Sequence, residues 1–331
     1  MKIRRMTTEK ITYQKLYQWG TEQLTQAQIP EYKQDARLLL EWCCGTDRNT
    51  LLVHGDRSVS AEEYDRYRDC IAKRSERIPL QHITGEQDFM GLTFTVNENV
   101  LIPRQDTEIL VEEVMRVLRD GMRLLDLCTG SGCILLSLLH YSNDCTGVGA
   151  DLSEEALQIA RENERRILGT RACELQSAGD GAAMEQWRRQ APGVDEKTAD
   201  EVRHIARQSV TWIQSDLFER LDSCEKFDII VSNPPYIKTD VIDTLMPEVK
   251  DHEPRPALDG SKDGLYFYRK IIAQAGAYLN PEGVLFFEIG YDQGDAVRGL
   301  MEEAGYRNIE VVKDYAGLDR VVSGEYGGSY V

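Results

Sequence analysis

In Phe227-Asp228-Ile229-Ile230-Val231-Ser232-Asn233-Pro234-Pro235-Tyr236, an apolar, β-branched run is cut off by two prolines. The run has the composition of a buried strand. Neither proline can donate a backbone N–H, so the ladder stops there. The first proline also pushes Asn233 toward an extended conformation. The strand thus ends in a stiff corner carrying an amide side chain, a carbonyl outside any ladder and an aromatic ring. Open α/β sheets bind ligands at the carboxyl ends of their strands. Asn233, Pro234, Pro235 and Tyr236 are therefore a candidate catalytic group, with a proline-rich turn around a packed tyrosine as the plainer alternative.

Outward from this corner the chain alternates strand and helix from Met122 on, the signature of a parallel sheet with crossover helices. Leu124-Leu125-Asp126-Leu127 reads as a buried strand, Cys128-Thr129-Gly130-Ser131-Gly132 as a glycine turn, and Ile134 to Leu139 as the start of a helix. Gly147 to Asp151 and Val210 to Ile213 read as strands, with a helix from Glu154 to Leu168 between them. Beyond the corner come a helix (Leu265 to Leu279), a strand (Val284 to Ile289), a helix (Ala296 to Ala304) and strands near Ile309 to Val312 and Arg320 to Ser323. The segment 169–209 is far longer than the roughly 2–6 residues of ordinary αβ loops, and reads as a solvated insertion without an assigned role.

Toward the N-terminus the period is helical. Ala36, Leu39, Leu40 and Cys43 share a face before Gly45, a candidate C-cap. Ser60-Ala61-Glu62-Glu63 has the form of a capping box, with Tyr64, Tyr67 and Ile71 following on one face. Residues 1–80 are expected to form a helical bundle that docks substrate, and 81–104 a linker. There Pro79 to Gly85 reads as a connection. Leu92, Phe94 and Val96 form one arm of a hairpin, Asn97-Glu98-Asn99 its turn, and Val100 to Ile102 the other arm. Asp106 or Thr107 is placed to cap a helix beginning near Ile109. Residues 105–331 then form the catalytic domain.

Composition narrows the function classes. The 331 residues suffice for two domains. Lys+Arg 39 against Asp+Glu 56 leaves a formal charge of −17, unlike a chain built to grip a phosphate backbone. The eight cysteines form no C-x-x-C pair, which fits a reduced intracellular protein. The five histidines show no metal-ligand spacing, so no metal is expected. No apolar run reaches the roughly 18 residues of a membrane span. The basic start Met1-Lys2-Ile3-Arg4-Arg5 is followed by no apolar stretch of a secretion signal. A cytoplasmic protein without membrane attachment is expected.

Three elements suggest a cofactor. Gly130 and Gly132, after the strand ending near Asp126, allow close backbone approach because glycine lacks a Cβ. The third glycine of a dinucleotide fingerprint is replaced by Leu135, which disfavours a pyrophosphate ligand. Asp151, followed by Leu152, stands where a strand-end carboxylate accepts from ribose hydroxyls; a helix N-cap is its alternative. Asp216-Leu217-Phe218 could flank an adenine, and core packing explains the apolar pair nearly as well.

A glycine loop, a strand-end carboxylate and Asn-Pro-Pro-Tyr, in this order, resemble class I S-adenosylmethionine-dependent methyltransferases, a Rossmann-like α/β fold. The likeness narrows with Pro79-Leu80-Gln81-His82-Ile83-Thr84-Gly85, Phe89-Met90-Gly91-Leu92-x-Phe94, Leu101-Ile102-Pro103-Arg104-Gln105-Asp106-Thr107-Glu108 and Glu253-Pro254-Arg255-x-Ala257-Leu258-x-Gly260. Together these resemble the HemK/PrmC family of protein glutamine methyltransferases over nearly the whole chain. The resemblance implies N5-methylation of the glutamine in the Gly-Gly-Gln loop of peptide chain release factors, with Asn233 and the Pro234 carbonyl holding its amide. It implies S-adenosylmethionine contacts at Thr129, Gly130, Ser131, Gly132, Asp151, Leu217 and Asn233; Asp126, Cys128, Leu152 and Asp216 complete the candidate set. Cys128 departs from the family's usual glycine, Leu217 from the tryptophan of some members, and Pro256 from the usual leucine; 169–209 lies outside the common pattern.

Chemically the tetrapeptide suits a planar nitrogen. An amide nitrogen has a delocalised lone pair and loses its proton only after attack begins. Two acceptors can hold its N–H groups and stabilise the positive charge growing on it, while Tyr236 offers a π face. Adenine N6 presents the same two N–H groups, so a nucleic-acid amino-methyltransferase is the alternative enzyme. It calls for a basic groove that −17 does not suggest. A non-catalytic docking platform is disfavoured by the intact Asn233, Asp151 and loop glycines.

Overall fold

A computed structural model describes residues 11–169 and 209–327. The chain divides into two compact units, one running to Gly85 and including Met246–His252, the other holding Glu86–Leu245 and the chain from Glu253 onward.

The first unit is helical: α1 (Tyr13–Gln26), α2 (Tyr32–Cys44), α3 (Arg48–Val53), α4 (Ala61–Ser75) and α5 (Leu80–Thr84). Local signals set the ends. Gly45 closes α2 in the left-handed conformation at φ +56°, which costs glycine nothing. Ser60 accepts from the Glu63 N–H at 3.1 Å, and the Glu63 carboxylate accepts from the Ser60 N–H at 2.7 Å, so the capping box is formed. Leu16, Leu39, Leu40, Tyr67 and Ile71 share one buried core. Pro79 to Gly85 is not an open connection. Leu80 and Ile83, one helical turn apart, pack on that core, and Gly85 ends α5 at φ +76°. The turn Pro247–Lys250 joins this unit through Glu248, which accepts from Arg74 at 2.9 Å and Arg77 at 2.6 Å. Arg74 also reaches Asp35 at 2.7 Å.

The second unit opens with a hairpin whose arms differ from the expected ones. They are β1 (Glu86–Phe89) and β2 (Leu92–Thr95), joined at Met90-Gly91. Both turn residues have positive φ, +51° and +72°, the twist a two-residue hairpin needs. Asn97 does make a turn, its side chain accepting from the Asn99 N–H at 3.0 Å, but Val100 to Ile102 runs on outside any strand. Burial of Val100 and Ile102 produced the alternation there.

Next come α6 (Gln105–Val117), β3 (Arg123–Leu127), α7 (Cys133–His140), β4 (Thr146–Asp151), α8 (Glu154–Ile167), β5 (Val210–Gln214) and β6 (Phe227–Ser232). The chain continues through α9 (Tyr266–Ala275), β7 (Leu279–Glu288), α10 (Gly294–Glu303), β8 (Tyr306–Lys313) and β9 (Asp319–Tyr326). The strands form one sheet ordered β5-β4-β3-β6-β7-β9-β8, parallel except where β9 runs against β7 and β8. Side chains alternate across it: Leu125, Leu127 and Ile230 enter one apolar layer with α9 and α10, whereas Leu124, Ile229 and Val231 enter the other with α6 and α7. This is the expected Rossmann-like α/β sheet. The order reverses beside β3, which pairs with β4 on one side and β6 on the other. Ligands bind outside strand ends at such a switch point. Apart from its two end residues, the expected insertion 169–209 lies outside the described residues.

Candidate functional site

The loop after β3 is held in an uncommon backbone state. Cys128, Gly130 and Gly132 have φ of +59°, +55° and +77°. Glycine adopts this freely; Cys128, with its Cβ, does so at a cost of roughly 1–2 kcal/mol. At Gly132 packing adds a second demand, since a Cβ would lie 2.9 Å from the Trp212 ring. Near Gly130 a Cβ would meet nothing, leaving that face of the loop open.

Two carboxylates fix the loop. Asp151, ending β4, accepts the Gly130 N–H on Oδ2 at 2.8 Å and the Ser153 N–H on Oδ1 at 2.9 Å. It is not the cap of α8; Ser153 is, accepting from the Ala156 N–H at 3.1 Å. Burial raises the Asp151 pKa, and the backbone donors oppose that shift. Asp126 lies beneath the loop, fully buried, and accepts from the Thr129 hydroxyl at 2.5 Å. Burial pushes its pKa up to about 7, helped by the nearby Asp151 charge and resisted by Thr129. Asn163, buried on α8, donates to the Ser131 carbonyl at 3.0 Å.

The corner after β6 faces this loop. Ser232 donates to the Leu127 carbonyl at 2.7 Å, joining the two strand ends. Asn233 donates through Nδ2 to Thr107 Oγ1 at 3.4 Å, which leaves the acceptor Oδ1 as the other end of the amide. The Tyr236 hydroxyl donates to Glu288 Oε1 at 3.1 Å, and burial holds this phenol protonated. Gln293 donates to the Tyr236 carbonyl at 3.2 Å. Gly260 donates to the Ile237 carbonyl at 2.8 Å and lies so close that a Cβ would stand 2.6 Å from the Tyr236 Cα. The two long motifs meet where Arg104 pairs with Glu253 at 2.5 Å.

Together these elements enclose a cavity of about 310 Å³, within the roughly 300–1,000 Å³ usual for small-molecule sites. Cys128, Thr129, Gly130, Ser131, Asp151, Leu152, Asp216, Leu217, Asn233 and Pro235 line it, so ten of the candidate residues converge. Asp126, Gly132, Pro234 and Tyr236 are not among its lining residues. Phe218 does not line the cavity either. It stacks on Tyr278 at 4.7 Å in the core, as the plainer reading had it, while Leu217 alone of that pair faces the site.

Glu288, Gln293 and Phe267, the last on the cavity wall, escape the sequence reading, while Thr107 and Gly260 entered it only as a cap candidate and as motif residues. Thr107 is no helix cap: α6 starts at Gln105 after Arg104, without a side-chain cap bond. Glu288 left one signal, an acid closing the apolar run Val284-Leu285-Phe286-Phe287 at a strand's carboxyl end. Among the described residues no group of three His, Cys, Asp or Glu is arranged to hold a metal, and no helix is long and apolar enough to cross a membrane.

The PrmC N-terminal domain family matches residues 15–85, and a methyltransferase domain family matches 102–311. A release factor glutamine methyltransferase of Geobacter sulfurreducens is 36% identical, over 96% of this chain and 97% of its own. Another, from Caulobacter vibrioides, is 39% identical over 95% and 96%. Among solved structures, a release factor-specific protein-(glutamine-N5) methyltransferase from Alicyclobacillus acidocaldarius is 27% identical, over 71% of this chain and all of that one, with a TM-score of 0.36.

Proposed function

The chain belongs to the release factor glutamine methyltransferase family, and from that premise we propose that it methylates the side-chain nitrogen N5 of the glutamine in the Gly-Gly-Gln loop of peptide chain release factors. The methyl donor is S-adenosylmethionine, and the cavity suits it: an open glycine face beside a strand-end carboxylate, with apolar Leu217 and Leu152 on the wall. Thr129, Gly130 and Ser131 offer backbone to it, and Asp151 accepts from its ribose hydroxyls. Bound there, the cofactor supplies an electrophilic methyl group on a sulfonium centre.

The observation that carries the reading is the orientation of Asn233, whose NH2 end is taken up by Thr107. Oδ1 and the neighbouring Pro234 carbonyl then accept the two N–H groups of a primary amide. That pair holds the acceptor nitrogen in one orientation, which lowers the entropic part of the barrier. It also stabilises the positive charge that develops as the nitrogen attacks. Tyr236, locked by Glu288, Gln293 and Gly260, stiffens the corner. No general base is needed, because the proton becomes acidic only after the nitrogen has been alkylated.

The helical unit docks the release factor away from its Gly-Gly-Gln loop. Leu52 and Val53 of α3 support this, standing 75% and 72% exposed beside a groove that also bears Lys33, Arg37 and Arg48. A net charge of −17 fits a protein rather than a nucleic-acid substrate, and a release-factor substrate supports the reading of a cytoplasmic enzyme. Methyl transfer to an intact release factor, with the modified residue mapped, tests the proposal.

A further inference from the structure

Asn163 lies on α8 with no exposed surface, and every polar atom of its amide is engaged. Oδ1 accepts from the Thr95 N–H at 2.7 Å. Nδ2 donates to the Thr95 carbonyl and to the Ser131 carbonyl, each at 3.0 Å. Two amide hydrogens meet two carbonyls, and the oxygen meets an N–H, so the flipped amide would lose all three bonds. The two bonds to Thr95 serve the end of β2 as a paired strand would. The bond to Ser131 holds the glycine loop, and Ser131 lines the cavity while Asn163 does not.

Ala156, Ile159 and Asn163 follow one another at helical spacing and share a face of α8. Val96 and Val100 pack on Ala156 and Ile159 in a small apolar cluster of their own. Around them Glu98, Asn99, Leu101 and Pro103 line the cavity, as Val100 does. One helix face therefore grips two walls of the cavity: the strap that follows β2 and the loop that follows β3. On that loop the Gly130 N–H is held by Asp151, and Asn163 takes the carbonyl one residue on. Glu164, next along α8, accepts from Trp212 Nε1 at 2.7 Å, and the Trp212 ring is what a Cβ on Gly132 would strike. The geometry points to Asn163 as a positioning residue for the cofactor, one that fixes the strap against the glycine loop before S-adenosylmethionine enters; this rests on reading the cavity as the site of that cofactor. Walls ordered in advance lower the entropic cost of binding. Low dielectric around a fully buried amide strengthens each of the three bonds.

The test measures S-adenosylmethionine binding to the full-length protein by calorimetry. Asn163→Leu keeps the size and removes all three bonds, while Met301→Ala alters a buried α10 residue outside the cavity. Asn163→Leu raises Kd at least about tenfold, the scale of one net hydrogen bond. Met301→Ala lowers Tm by opening a void in the core. Its Kd stays within about twofold of wild type at a temperature where both are folded, because the two sites are independent. A purely structural role for Asn163 would leave both Kd values equally unmoved. Hydrogen exchange needs no variant: S-adenosylmethionine slows exchange of the wild-type Thr95 amide, although Thr95 does not line the cavity, because coupling is reciprocal. An unchanged Kd in Asn163→Leu overturns the inference. Should that variant fail to fold, an unchanged Thr95 exchange rate overturns it instead. Failure of the wild type to bind would overturn the reading of the cavity and the inference with it, whereas wild-type binding beside an unmoved Asn163→Leu would overturn the inference alone.

Discussion

The Gly130 N–H donates to Asp151 Oδ2 at 2.8 Å, so the carboxylate ending β4 pins the loop that follows β3. One side chain therefore shapes the loop, and in the proposed function it also accepts from ribose hydroxyls. Asp151→Ala leaves two partly buried backbone donors, Gly130 and Ser153, without their acceptors, at about 1–3 kcal/mol each. Calorimetry on this variant will show S-adenosylmethionine binding weakened at least about tenfold, since 1.4 kcal/mol is one decade.

In the proposed function Asn233 acts on the acceptor rather than on the fold. Asn233→Ala will lower kcat by about 10²–10³, the usual loss when one preorganised charge-stabilising group is removed. Cofactor binding will be largely retained, because Thr129, Gly130, Ser131 and Asp151 remain in place. Single-turnover kinetics beside calorimetry separates the two effects.

Asp126 gives a pH dependence whose sign follows from its shift. Its pKa rises from 3.8 to about 7 through burial, so the folded state holds the proton more tightly than the unfolded one. Its contribution to stability is present below the unfolded value and is lost as pH rises through the folded one. Asp126→Asn keeps an acceptor for Thr129 and removes the charge. Its Tm will exceed the wild-type Tm at pH 8, and the advantage will shrink as pH falls from about 7 and be gone below about 4, where the wild-type carboxyl is neutral in both the folded and the unfolded chain.

Docking by the helical unit separates two substrates. Leu52→Glu/Val53→Glu will raise KM for an intact release factor while leaving KM for a short Gly-Gly-Gln peptide unchanged. Equal effects on both would place α3 outside the interaction.

What could be read from the sequence was local or periodic. Gly45, the Ser60–Glu63 box and the two-sided burial of β3 and β6 each follow from residues a few positions apart. The corner Asn233-Pro234-Pro235-Tyr236 was legible because proline ends a ladder whatever surrounds it. The hairpin was misplaced because Asn97-Glu98-Asn99 has the composition of a turn, whereas Met90 at φ +51° does not announce one. Thr107 fits a local cap by residue type, yet it accepts from Asn233, brought in by the fold. Glu248 was invisible for the same reason: its partners Arg74 and Arg77 are remote in sequence. Long-range polar pairing leaves no period to read.

The central claim is tested most directly by incubating the purified protein with methyl-labelled S-adenosylmethionine and an intact release factor, then mapping the labelled residue by mass spectrometry. One methyl group on the side-chain nitrogen of the Gly-Gly-Gln glutamine is the predicted result. Label on DNA or RNA, with none on the release factor, would contradict it.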